Sequence, residues 1–72
     1  MLNKRMLAGQ IIIAGYTHAQ VAKMLGISKN TFSARMNGRG FFDTDQVVKL
    51  CEILEITDPY EKERIFFAPN VP

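Results

Sequence analysis

With 72 residues, 47% hydrophobic and 22% charged side chains, the chain is one small domain, apolar enough for a packed core and too apolar for a disordered tail. Its single cysteine excludes an internal disulfide, and one histidine without a partner histidine or cysteine pair argues against a zinc site. The net charge of +2 hides a division: residues 1–42 hold six bases (Lys4, Arg5, Lys23, Lys29, Arg35, Arg39) and no acid, whereas residues 43–72 hold seven acids and three bases. A polyanion such as a DNA phosphate array would meet the first half. The longest apolar stretch, around residues 10–14, falls far short of the roughly 20 residues a membrane span needs. The basic-then-apolar start resembles a signal peptide only faintly, because its apolar run is short and continues into the unit that follows. A cytoplasmic location is the expectation.

Apolar residues recur at helical spacing along nearly the whole chain, and no stretch alternates like a strand. The pattern predicts five helices. The first runs from residue 2 or 3 to 14 and stops at Gly15. The second follows Thr17, whose hydroxyl can cap it while Gln20 reaches back, with Tyr16 and Val21 as a hydrophobic staple. Gly26 closes it in the left-handed conformation. Ser28 caps the third, which ends near Asn37 with Gly38 as its stop. Asp43 with Gln46 opens the fourth, stapled by Phe42 and Val47. Asp58 caps the fifth, and Pro59 occupies the first helical position, where its missing N–H costs nothing. The tail, about residues 68–72, contains two prolines and is expected to stay outside any helix. Cys51, inside V-V-K-L-C-E-I-L, is expected to act as a small buried hydrophobe.

The most informative stretch is residues 17–38, two short helices joined at Gly26-Ile27-Ser28, a layout that can place one helix in a DNA major groove. In the second helix Val21, Ala22 and Leu25 form the apolar face, and Ala22 is small enough for the third helix to cross closely. In the third, Phe32 and Met36 share a face. The other side carries Asn30, Ser33, Ala34 and Asn37, with Lys29 and Thr31 in the first turn and Arg35 on the flank. Asparagine can bond adenine bidentately, lysine can reach guanine acceptors, and serine can bond a base edge or a phosphate. The amides opening the second and third helices suit phosphate, with Thr17 and His18 at one and Ser28 and Lys29 at the other. Arg39, in the following loop, is placed for another phosphate.

The run G-Y-T-H-A-Q-V-A-K-M-L-G-I-S-K-N-T-F-S, then N-G, then D-x-x-Q-V-V-K-L-C-E-I-L, resembles the Cro/repressor helix-turn-helix family and its lambda-repressor-like five-helix fold. The resemblance covers roughly residues 5–57. It implies an all-α domain whose recognition helix spans residues 28–37, with Lys29, Asn30 and Ser33 placed for base contacts. Two positions depart from the family pattern. His18 stands where glutamine commonly contacts phosphate, and Ala34 offers only a methyl group at a position often used for base readout. Length and layout are also similar to small Cro-like regulators of temperate phages, among them the modulator-of-repression (antirepressor) proteins that act with a CI-type repressor.

The first helix has two apolar stripes. Leu7, Ile11 and Ala14 form the expected core face. Leu2, Met6, Gly9 and Ile13 form a second, rotated by more than a quarter turn. Either the Ile65-Phe66-Phe67 segment folds back over it, or Leu2, Met6 and Ile13 dock a protein partner, a second copy or a repressor. No residue cluster suggests an enzyme, a metal site or a cofactor. Two functions remain open: a regulator that occupies operator DNA, and an antirepressor that masks another regulator's recognition surface. The DNA-binding antitoxin of a toxin–antitoxin pair fits the size, but no toxin-wrapping tail supports it.

Overall fold

A computed structural model describes residues 2–67 and holds five α-helices, with no strand among the described residues: α1 (Lys4–Ala14), α2 (His18–Leu25), α3 (Lys29–Met36), α4 (Thr44–Ile53) and α5 (Pro59–Phe66). The expected all-α architecture is borne out. The tail expected to avoid helix, residues 68–72, lies outside the described residues.

Each helix begins where a side chain can satisfy an orphan amide. Thr17 Oγ1 accepts from the Gln20 N–H at 3.1 Å while Gln20 Oε1 accepts from the Thr17 N–H at 2.8 Å, a reciprocal capping box. Asp43 and Gln46 repeat the arrangement at the start of α4. Ser28 caps α3, Asp58 caps α5 ahead of Pro59, and Asn3 caps α1 by accepting from the Met6 N–H. Such a cap contributes about 1 kcal/mol.

Four of the helices also end alike. The N–H groups of Tyr16, Ile27, Arg39 and Ile56 reach back to the carbonyls of Ile11, Ala22, Ala34 and Cys51, the six-to-one closure of a Schellman turn. The residue before each donor takes positive φ: Gly15, Gly26 and Gly38 in the first three turns, but Glu55, at φ 55°, in the fourth. Glycine adopts that conformation freely, whereas glutamate adopts it at a cost of about 1–2 kcal/mol.

Phe32 lies at the centre of the core, fully buried together with Leu7, Ile11, Val21, Leu50 and Ile65, so every helix contributes a side chain. The Phe32 and Phe42 rings meet at 5.5 Å between centroids, tying α3 to the loop before α4. Ala22 is buried on α2, which packs against both α3 and α4. No polar side chain is buried among the described residues. The molecule measures 31 × 25 × 21 Å.

α5 runs antiparallel beside α1. The Asn3 N–H donates to the Ile65 carbonyl at 2.6 Å, and Gln10 Nε2 donates to Glu61 Oε1 at 2.8 Å. This pairing divides the second stripe of α1. Leu2 and Met6 are half-buried and packed against the core, so they do not form a free docking face. Ile13 lies past the point where Glu61 meets Gln10 and stays 79% exposed, beside Ile12 at 74%. Ala14, expected on the core face, is exposed, although Ile11 three residues earlier is fully buried.

Candidate nucleic-acid interface

α2, the Gly26-Ile27-Ser28 turn and α3 form a helix-turn-helix unit. Gly26, at φ 77° and ψ 24°, reverses the chain, and its N–H reaches the Ala22 and Lys23 carbonyls. Ser28 then restarts the helix. Both large apolar residues of α3 turn inward, Phe32 at 0% exposure and Met36 at 4%. At about 100° per residue, Asn30, Ser33, Ala34 and Asn37 therefore share a face turned away from the core. Lys29, Asn30 and Asn37 are exposed, and Ser33 is half-buried.

The remaining candidates divide by what already holds them. The hydroxyls of Ser28 and Thr31 maintain the start of α3: Ser28 Oγ accepts from the Thr31 N–H at 3.1 Å and donates to Thr31 Oγ1 at 2.9 Å. Thr17 has the equivalent duty at α2. These caps use the third amide of each helix and leave the first two, on His18 and Ala19 and on Lys29 and Asn30, free of helical carbonyls. The paired N-termini suit phosphate oxygens, with the helix dipole adding its partial positive charge.

His18 is half-buried, its imidazole edge-on to Phe32 with 5.6 Å between ring centroids. It thus braces α2 against α3 at the mouth of the unit. Arg35 is half-buried as well, and its Nη1 donates to Gln46 Oε1 at 2.6 Å. That same oxygen completes the α4 capping box, so one amide both starts α4 and anchors the flank of α3. Asn37, the C-cap of α3, accepts from Lys4 Nζ at the start of α1. Arg39 is exposed in the loop, and its N–H closes α3 on the Ala34 carbonyl at 2.8 Å.

Lys4 and Gln46 lay outside the sequence-based candidate set. Both reach α3 from elsewhere, Lys4 across 33 residues and Gln46 across 11, and no local pattern announces such a pairing. Lys4 adds a cation at the end of α3. Gln46 is a positioning residue with a second partner.

Among the described residues no cluster of His, Cys, Asp or Glu could hold a metal ion, and no helix is long and apolar enough to cross a membrane. No curated protein and no solved structure matched the chain. The family described as helix-turn-helix domain matches it over residues 5–64, from the first turn of α1 to the last turn of α5. That span takes in both helices of the unit, the turn between them and the core that supports them, and the chain belongs to the DNA-binding helix-turn-helix domain family.

Proposed function

We propose that the protein is a small phage or prophage transcription regulator of the lysis–lysogeny type, acting in the cytoplasm by occupying an operator in double-stranded DNA. α3 enters the major groove with Lys29, Asn30 and Ser33 toward base edges. The starts of α2 and α3, together with Arg35, Asn37 and Arg39, contact the backbone on either side. The observation that carries this reading is the outward polar face of α3 within a stretch of 42 residues that contains no acid. Repression follows from blocking polymerase or a competing repressor, which needs no effector domain. The Cro-like layout of the sequence supports the phage assignment.

Lys29→Ala with Asn30→Ala tests it on the flanking intergenic DNA by gel shift. Both side chains are exposed, so the circular dichroism spectrum should not change. Each good base contact is worth about 1–3 kcal/mol, and the double variant should lose sequence-specific binding while keeping a salt-sensitive, non-specific remainder. Unchanged operator affinity would remove direct readout by α3.

The exposed pair Ile12 and Ile13 favours a second reading, an antirepressor that binds a CI-type repressor, or a homodimer through the same face. Changing both to glutamate should leave the fold intact, because both side chains are largely exposed. Loss of repressor binding or self-association, measured by sedimentation, supports this reading. A variant that associates as the parent does removes it.

A further inference from the structure

The start of α1, the end of α3, the loop to α4 and the end of α5 enclose a groove of about 520 Å³, inside the ~300–1,000 Å³ range of small-molecule sites. Met36, Phe42, Val47 and Phe66 supply apolar walls, and Phe41 and Phe67, 89% and 59% exposed, add two uncovered rings. Two cations line the same groove, Lys4 and Arg35. Each donates to a neutral amide oxygen, of Asn37 and Gln46 respectively, and no described lining residue is an acid. An apolar cleft lined by two cations and by no described acid suits a ligand with a greasy body and one anionic end.

We propose that this groove binds a small amphiphilic carboxylate, its aromatic or short alkyl body among the phenylalanines and its head between Lys4 and Arg35. The planar guanidinium fork matches a carboxylate bidentately. A monoanion also sheds its water more cheaply than a dianion when it enters an apolar cleft. Arg35 and Asn37 line the groove and also belong to the recognition unit, so a bound carboxylate takes up positive charge that would otherwise meet a phosphate. Ligand binding therefore weakens DNA binding. This coupling rests on the DNA-contact role proposed for Arg35; occupancy of the groove does not.

The test is an amide NMR titration of the full chain with 4-phenylbutyrate, run beside neutral 4-phenylbutan-1-ol. The acid should move the Gly38, Gly40, Phe41 and Phe67 amides saturably and bind about tenfold tighter than the alcohol, the factor expected of a charge-assisted contact. Lys4→Gln, at an exposed position, should weaken the acid about tenfold, leave the alcohol unchanged and keep the rest of the spectrum. Acid and alcohol binding alike, shifts centred on Ile12 and Ile13, or no saturable shift overturns the site. Repeating a duplex titration with the acid bound tests the coupling alone. Unchanged duplex affinity overturns the coupling, whereas reduced affinity supports it.

Discussion

Replacing Gly26 by alanine isolates what the turn between α2 and α3 demands of the backbone. A methyl group built there meets nothing within 4 Å, so no clash contributes to the outcome. What remains is the left-handed conformation itself, which costs an L-residue about 1–2 kcal/mol. Alanine recovers about 0.4–1 kcal/mol by narrowing the unfolded ensemble. The net loss should be about 1 kcal/mol, or about 4–8 °C in Tm for a domain of this size. Urea unfolding followed by far-UV circular dichroism reads it, and the m-value should not change. Glu55→Gly supplies the opposite sign, because Glu55 takes the same left-handed position after α4. It should gain about 0.5–1 kcal/mol. Well below the transition, Gly26→Ala should bind DNA as the parent does. A neutral Gly26→Ala, or a destabilising Glu55→Gly, would refute the claim that these turns are governed by backbone handedness.

Other substitutions probe the interface and the thiol. Gln46→Glu keeps an acceptor for Asp43 and Arg35 but turns the Arg35 contact into an ion pair. The slope of log affinity against log salt should fall by about 0.9, one phosphate contact, and an unchanged slope would place Arg35 outside the DNA interface. Burial pushes the Cys51 thiol pKa up, with Lys62 partly opposing it. Because the folded value is raised, the associated stability is present in full below the unfolded thiol's pKa and is lost as pH rises through the folded one. Iodoacetamide at mildly alkaline pH should alkylate the folded chain more slowly than the urea-unfolded chain, and equal rates would contradict a shielded thiol.

The starts of α2 to α5 were legible because each cap joins residues two or three positions apart. Thr17 with Gln20 and Asp43 with Gln46 announce their caps in the local sequence, and the same pairs bond in the structure. The turn at Gly26 was legible for a similar reason, since glycine between two apolar periods marks a left-handed closure. Glu55 shows the limit: nothing in glutamate signals positive φ, yet it takes that conformation between two buried residues, Leu54 and Ile56. The polar face of α3 was equally readable, because burying Phe32 and Met36 leaves Asn30, Ser33 and Asn37 outward by helical geometry alone.

The two stripes of α1 could not be resolved that way. Periodicity shows which residues share a face but not how far a neighbouring helix extends along it. The pairing of Asn3 with Ile65 and of Gln10 with Glu61 decided that Leu2 and Met6 are covered while Ile12 and Ile13 are not. The ties of Lys4 to Asn37 and Arg35 to Gln46 likewise join residues remote in the chain, as does the groove lined by Phe41, Phe66 and Lys4. Local hydrogen bonds and helical period, which act over a few residues, determined the five helices and the polar face of α3. The extent of each buried surface and the cross-helix contacts that brace that face arise only when distant segments meet, and the tertiary packing alone decided them.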